Sequence, residues 1–243
     1  MNVPSHFEGK SIPDHLKEAR QKGALVSSEA HGAEMSGFFS SFTDASKELA
    51  ILLLIIFFLL APSFLSLLLI GIAWCIWKTI RSSLLGWSRI ERLHRLIEEE
   101  RWEIEHHRKQ EKEELLELYQ AKGLKGKLLT ETVEVLMADD NRLLQVMLEE
   151  ELGLTLEAYE HPLKQSLGAF VGSLTAMGFI LIPFAVFSSQ GLYTASVLWI
   201  LVCAFLQSKK EKNKPLSYLI WHVASLVLLI GLLYFLHPLL HAL

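Results

Sequence analysis

Glutamate recurs with a regular spacing in the polar segment that follows the first long apolar run of the chain. Glu100 and Glu111 are eleven residues apart, as are Glu103 and Glu114, and His107 lies between the two pairs. An α-helix turns by about 100° per residue, so an eleven-residue step returns to within about 20° of its starting direction. On one helix these five side chains therefore form a stripe less than about a quarter-turn wide.

The stripe lies on the helix face that is expected to pack against other helices. Apolar side chains project within or beside the same sector, namely Leu93, Ile97, Ile104, Leu115 and Leu118. Three other glutamates, Glu98, Glu105 and Glu113, fall on the opposite, solvated side. Carboxylates on a packing face repel one another and lose hydration unless cations neutralise them. The cation is either a metal ion or a basic side chain nearby, such as Arg101, Arg108, Lys109 or Lys112.

A second group of possible metal ligands ends a later predicted helix. The run "VMLEEELG" places Glu149, Glu150 and Glu151 in a last helical turn, where the helix dipole favours cations. Met147 stands one turn before Glu150 and Glu151, so a thioether and carboxylates can point to one place. This donor set suits Fe²⁺ or Mn²⁺ better than Ca²⁺. A solvated acidic face and a core methionine form the alternative interpretation.

The composition predicts that these polar helices belong to a membrane protein. Hydrophobic residues make up 51% of the 243 residues, and the mean hydropathy is positive. The net charge of −4 is segregated, because almost every charged residue lies in residues 1–48, 78–164 or 207–214. Cys75 and Cys203 lie in apolar runs, where we expect them to be packing residues rather than a disulfide.

Apolar runs predict several membrane spans. Three are clear, at about Gln165–Phe187, Gly191–Leu206 and Leu216–Leu236. The run from Leu49 to Trp77 has 29 residues, which is too long for one upright helix and too short for two. The "APS" at Ala61–Ser63 offers a break, since proline disfavours a helical conformation in the residue before it. Two helices then require the first to begin near Gly37.

The positive-inside rule favours that hairpin. Lysine and arginine occur in the N-terminal segment, in residues 78–164 and in "KKEKNK" at Lys209–Lys214, whereas the other connections have none. An even number of crossings between residues 36 and 88 places all three basic regions in the cytoplasm. The result is five spans, with a cytoplasmic N-terminus and an external C-terminus. One long tilted helix and four spans are the alternative.

We therefore predict an all-α, polytopic membrane protein with five transmembrane helices and a cytoplasmic three-helix domain between the second and third. The predicted divisions are a polar N-terminal cytoplasmic segment at 1–36, a transmembrane hairpin at 37–87, the helical domain at 88–162 and spans three to five at 163–243. Within the helical domain, the pattern predicts a long helix over Ser88–Ala121 and shorter ones over Lys127–Met137 and Asp140–Leu152, separated by "KGLKG" and "ADDN".

The order of these features resembles the vacuolar iron transporter family. The resemblance is carried by "EKEELLELYQAKGL", by "VEVLMADDNRLLQVMLEEELGL" and by the proline-led return at "HPLKQSLGAFVGSLTAMGFILIPF", over roughly residues 91–187. It implies a homodimeric Fe²⁺/Mn²⁺ transporter that exports metal from the cytoplasm, in exchange for protons. It also implies metal capture by the family's glutamates and methionine, which fall here on Glu100, Glu103, Glu111, Glu114, Met147 and Glu150, and passage to Asp44 in the first span.

The chain departs from the family pattern at several positions. Val146 stands where the family has a second methionine, and Ala45 follows Asp44 where the family has glycine. The second span has no acidic residue or methionine, only Cys75 and the cationic Lys78. These departures leave open an alternative function, a non-transporting membrane protein whose helical domain is a metal-sensing or oligomerisation module.

The sequence gives weaker signals for histidine metal sites and for enzyme motifs. His106 and His107 do not repeat the Glu-x-x-His spacing of dinuclear sites, and His237 and His241 form an i, i+4 pair in a tail that is more typical of an interface. Without a phosphate loop, nucleophile elbow or His-Glu-x-x-His motif, we expect neither an enzyme nor an organic cofactor nor a nucleic-acid partner. The expected location is the inner membrane of a bacterium, or a vacuolar or other organelle membrane of a eukaryote.

Overall fold

The structure is a computed structural model that describes residues 11–14, 16–18, 20–21, 37–154 and 161–241, with side chains as far as residue 235. No strand occurs in these ranges, and the all-α prediction is confirmed. Most of the N-terminal segment, residues 155–160 and the side chains of His237 and His241 lie outside the described part. The seven main helices are α1 Gly37–Leu60, α2 Phe64–His106, α3 Arg108–Ala121, α4 Gly126–Met137, α5 Asp140–Glu150, α6 Pro162–Lys210 and α7 Pro215–His241.

The predicted break at "APS" separates α1 from α2. Helix α1 begins at Gly37, and its last residue, Leu60, directly precedes the break. Ala61 has a φ of 43°, a left-handed conformation that an α-helix does not continue through. Ser63 then accepts a hydrogen bond at its Oγ from the backbone N–H of Ser66, at 3.3 Å, and so satisfies a donor in the first turn of α2. The predicted division into two helices at this break is confirmed, and the crossing of the membrane by both of them stays a prediction.

The prediction of one helix over Ser88–Ala121 is wrong at its start and in its continuity, although α3 ends at the predicted Ala121. Helix α2 runs without interruption through residue 88, because Lys78–Glu100 contains no proline and only one glycine to end it. It ends instead at His106, and His107 has a non-helical φ of −124° and ψ of 28° before α3 begins. The Trp102 ring lies against both histidines here, with centroids 4.6 Å from His106 and 5.4 Å from His107.

Helix α6 contains the third and fourth predicted apolar segments. Its helical conformation is interrupted at Ser188, where φ is 53° and ψ is −138°. Gly191 follows within one turn, and a Cβ there would lie only 2.1 Å from the Pro183 carbonyl oxygen. The backbone at Gly191 therefore approaches that of Pro183 so closely that the position requires glycine. The interruption lies between the predicted segments Gln165–Phe187 and Gly191–Leu206.

Among the described residues, three helices are long and apolar enough to cross a membrane, by length and composition. These are α2, α6 and the Pro215–Phe235 part of α7. Many large hydrophobic side chains on them are exposed, such as Leu65, Ile182, Val227 and Leu228. A water-soluble protein would bury such residues, so the chain is an integral membrane protein.

The described residues divide into two compact units. The apolar unit contains residues 37–87 and 161–241, and the polar unit contains residues 11–21 and 88–154. In the apolar unit, α1 packs closely against α6. Gly168 and Gly172 are one turn apart, and they lie directly against the Phe38 and Phe42 carbonyl oxygens of α1. Small residues at such a crossing allow two backbones to approach closely.

The polar unit has its own hydrophobic core. One cluster joins α2, α3, α4 and α5 and consists of Ile104, Leu115, Val133, Leu143 and Met147. Arg108, at the start of α3, donates to Asp140 Oδ1 at 2.5 Å and to the Met137 carbonyl oxygen at 2.6 Å. Asp139 caps α5, accepting from the backbone N–H of Arg142 at 2.8 Å. These bonds fix α4 and α5 against the start of α3.

Candidate metal centre

Three buried glutamates from three parts of the polar unit meet at one point. Glu100 of α2, Glu111 of α3 and Glu151 at the end of α5 each offer a carboxylate oxygen, and these oxygens lie within 4.8 Å of one another. Their exposed fractions are 4%, 0% and 2%. Three ionised carboxylates in so small a buried volume would repel one another strongly, so a divalent cation would stabilise the cluster.

The remaining stripe glutamates add to this negative charge. Glu114 is fully buried and Glu103 is half-buried. Burial first, and then the charges of Glu100, Glu114, Glu111 and Glu103, raise the pKa of Glu151 well above its ordinary value of 4.5. All four glutamates of the predicted stripe therefore act on the Glu151 carboxyl. By contrast, Glu98, Glu105 and Glu113 are exposed, as the helix geometry predicted.

The glutamate stripe continues across the break at His107. Glu111 N and Gln110 N both donate to the His107 carbonyl oxygen, at 3.2 and 2.8 Å, and His107 N donates to the Glu103 carbonyl oxygen at 2.7 Å. These backbone hydrogen bonds connect α2 to α3 across His107. Glu100 and Glu111, on opposite sides of the break, consequently still reach the same cluster.

Glu150 and Met147 take other positions at the end of α5. Glu150 forms an ion pair with Lys122, whose ammonium group also lies 5.2 Å from the centre of the Tyr119 ring. Met147 is fully buried in the core with Ile104 and Leu115. The structure thus brings Glu100 and Glu111 together with Glu151, while the Glu150 carboxylate is directed to a lysine.

A glycine-dependent turn positions Glu151. Leu152 N donates to the Met147 carbonyl oxygen at 3.3 Å, and Leu154 N donates to the Leu148 carbonyl oxygen at 2.9 Å. This pattern closes the helix through Gly153, which has a positive φ of 66°. Glu151 is the C-cap residue of α5, and its side chain is buried in the interior of the polar unit.

The predicted set of metal ligands does not include Glu151. Of the three glutamates in "EEE", the family pattern favours Glu150. Leu143, Met147 and Glu151 are spaced by four residues, and all three are buried. Their i, i+4, i+8 spacing was the available signal, because such residues share a helix face.

The acidic residue predicted for the first span lies in a different environment. Asp44 of α1 is an intermediate side chain, 37% exposed, and its Oδ1 is 3.2 Å from Lys47 Nζ. Lys47 Nζ also donates to Gln207 Oε1 of α6 at 2.6 Å. One turn further along α1, Glu48 pairs with Lys78 of α2 at 2.5 Å. Asp44 and Glu48 therefore each form an ion pair with a lysine.

The sequence model of the VIT family matches residues 87–234, which is more than half of the chain. Neither a curated protein nor a solved structure gives a significant match. The matched range includes the whole glutamate stripe and continues through α6 into α7. Asp44, Lys47, Glu48 and Lys78 precede it.

Proposed function

Because the chain belongs to the VIT family, the vacuolar iron transporter family, we propose that it exports Fe²⁺ or Mn²⁺ from the cytoplasm in exchange for protons. The family is one of membrane metal transporters, and the apolar helices of this chain suit such a role. In this proposal the working unit is a homodimer. Each copy has five spans, formed by α1, the first part of α2, the two parts of α6, and α7. The N-terminus and the polar unit are on the cytoplasmic side.

The buried meeting point of Glu100, Glu111 and Glu151 is the single observation that carries the proposal. The metal would be captured there by hard carboxylate oxygens, with Glu103 and Glu114 adding negative charge close by. Binding would offset the repulsion that raises the Glu151 pKa. Met147 and Glu150 remain proposed members of the capture site on the family pattern. Protonation of the carboxylates would release the ion, which links metal binding to acidity.

The captured ion would then pass to Asp44 in α1. An ionisable residue on a membrane helix is a candidate for the transport pathway, because its burial in lipid is costly without a functional reason. Residues 37–60 also contain buried small polar side chains, namely Ser40, Ser41, Thr43 and Ser46, which suit a helix that lines a polar route.

A transport assay on the full-length protein tests this function. The protein is reconstituted in liposomes, and Mn²⁺ entry is followed under an imposed proton gradient, with Asp44→Ala and protein-free vesicles as controls. Gradient-dependent entry that is lost in Asp44→Ala would support the proposal. Absence of entry in a preparation that still binds Mn²⁺ would reject transport.

A specific observation favours the second candidate, a non-transporting sensor or oligomerisation module. The ammonium groups of Lys47 and Lys78 form ion pairs with Asp44 and Glu48, the acidic residues of α1. If those lysines never leave, neither Asp44 nor Glu48 is open to a divalent ion. Metal binding by the polar unit without any flux is the result expected from this alternative.

A further inference from the structure

Two lysines of the apolar unit are better shielded from solvent than the carboxylates they contact. The Lys47 and Lys78 side chains are 14% and 11% exposed, whereas Asp44 and Glu48 are 37% and 44% exposed. A lysine that is removed from water needs a partner to remain charged. The structure supplies one carboxylate to each lysine.

The two ion pairs, Asp44 with Lys47 and Glu48 with Lys78, make up the charged layer of this unit. Asp44 and Glu48 are one turn apart on α1, so they lie on the same face of that helix. Lys47 comes from α1 itself, and Lys78 comes from α2. The charges of these two carboxylates and two ammonium groups cancel, and a further carboxylate, Glu211, lies behind Gln207.

A third helix holds one of the lysines in place. Lys47 Nζ donates to Gln207 Oε1 at 2.6 Å, and Gln207 Nε2 donates to Glu211 Oε1 at 2.9 Å. The amide of Gln207 is therefore oriented by Glu211, with its oxygen toward the lysine. Lys47 consequently has two fixed acceptors, Asp44 and Gln207, and its position is specified by more than a single exposed ion pair.

We propose that Lys47 and Lys78 are built-in counter-ions that occupy the α1 carboxylates when no metal is present and that compete with the transported cation for them. This inference rests on the proposed transport function, and it adds Glu48 to the residues that meet the metal. A divalent ion that approaches Asp44 or Glu48 must displace an ammonium group already in contact. The lysines thereby set the metal concentration at which Asp44 and Glu48 bind the ion. They also exclude cations that these carboxylates attract too weakly to displace an ammonium group.

The charge balance explains why the effect is large. Metal binding without movement of the lysines would bring two further positive charges to a layer that is already neutral. A charge within about 4–6 Å shifts the pKa of a carboxyl by roughly 1–3 units, and an electrostatic effect of that size changes the affinity for a cation by about ten- to a thousandfold. Loss of one lysine charge is therefore expected to raise the affinity of this layer for Mn²⁺ at least about tenfold.

Equilibrium Mn²⁺ binding to the purified full-length protein tests the proposal separately from transport. Lys78→Gln and Lys47→Gln are compared with Lys164→Gln, which removes one exposed lysine from the same unit. We expect tighter binding in the first two variants and wild-type binding in the third. The gain in Lys78→Gln is expected to disappear when Glu48→Gln is added, and Lys78→Arg is expected to restore the weaker wild-type affinity.

The outcomes separate this inference from the proposed function. Binding by Lys47→Gln and Lys78→Gln that is no tighter than that of Lys164→Gln overturns the counter-ion role, even if the wild type transports Mn²⁺. Tighter binding that depends on Glu48, without flux in any variant, supports the counter-ion role and rejects transport. Lys78→Met, which has similar length and no charge, repeats the test if Lys78→Gln melts at a lower temperature than the wild type.

Discussion

Glu111 and Glu151 lie forty residues apart in sequence, yet their carboxylate oxygens are within 4.8 Å of each other in the interior of the polar unit. Neither residue is more than 2% exposed. Two buried carboxylates at this distance are unfavourable when both are ionised. Elsewhere in the polar unit, carboxylates lie against basic side chains, as Asp140 does with Arg108 and Glu150 with Lys122.

The first prediction concerns the three consecutive glutamates at the end of α5. Replacement of Glu151 by Gln removes a charged oxygen ligand from the cluster, so we expect at least about a tenfold loss of Mn²⁺ affinity. Glu149→Gln is the matched control, because Glu149 is exposed and its carboxylate accepts a hydrogen bond from Gln145 Nε2 of the same helix, at 3.1 Å. Titration calorimetry on the full-length protein measures both affinities.

The neighbouring residue supplies a sharper comparison. Glu150→Gln breaks a partly exposed pair with Lys122, for which we expect a loss of stability of about 0.5 kcal/mol. We expect its effect on Mn²⁺ affinity to be smaller than that of Glu151→Gln. An equal or larger loss of affinity in Glu150→Gln would instead place the ligand where the family pattern has it.

The second prediction concerns the pH dependence of the metal-free protein. Burial and the neighbouring carboxylates raise the pKa of Glu151 well above 4.5. The folded state therefore keeps its proton at pH values where the unfolded chain has lost it. Between 4.5 and the raised value, the folded state binds more protons, so its stability falls as the pH rises. This stabilisation is fully present below pH 4.5 and is lost above the folded pKa.

Thermal melting in the presence of a chelator measures this dependence. We expect the Glu151→Gln variant to melt at a higher temperature than the wild type at about pH 8, and the difference to shrink on acidification. Saturating Mn²⁺ should stabilise the wild type at about pH 8 and lose this effect as the carboxyls are protonated. Parallel pH profiles for the two metal-free proteins would contradict the assignment of the raised pKa.

The third prediction concerns the contact between α1 and α6. A methyl group on Gly172 would lie 2.3 Å from the Phe42 carbonyl oxygen, and one on Gly168 would lie 2.1 Å from that of Phe38. Such a contact forces the two backbones apart, so we expect Gly172→Ala to destabilise the protein by about 1–3 kcal/mol. Ser46, which donates to the Gly172 carbonyl oxygen at 2.8 Å, would lose part of this bond.

Gly178 provides a control on the same helix. A Cβ there meets no atom within 4 Å, so Gly178→Ala should be neutral or stabilising by up to about 1 kcal/mol. Melting of both variants in the same detergent, followed by circular dichroism, compares them directly. Equal stability of Gly172→Ala and Gly178→Ala would show that the close approach does not limit this helix pair.

Local signals were sufficient for much of the helical architecture. Pro62 predicted the end of α1, because proline acts on the backbone of the residue before it. The start near Gly37 followed from the length of chain that a first span requires. The break at His107 had no such signal, since nothing in "EHHRK" forbids a helix. Its aromatic contacts with Trp102 exist only in the folded chain.

By itself, the sequence determined that the chain inserts into a membrane and that one helix face concentrates glutamates. Both properties follow from composition and from a fixed helical period, which act along the chain. Only the tertiary structure decided that Glu151, and not Glu150, reaches Glu100 and Glu111. Adjacent residues on a helix point about 100° apart, so the packing of α5 and the turn at Gly153 select between them. The choice of Lys78 as the partner of Glu48 likewise depends on the approach of two separate helices, which no local pattern specifies.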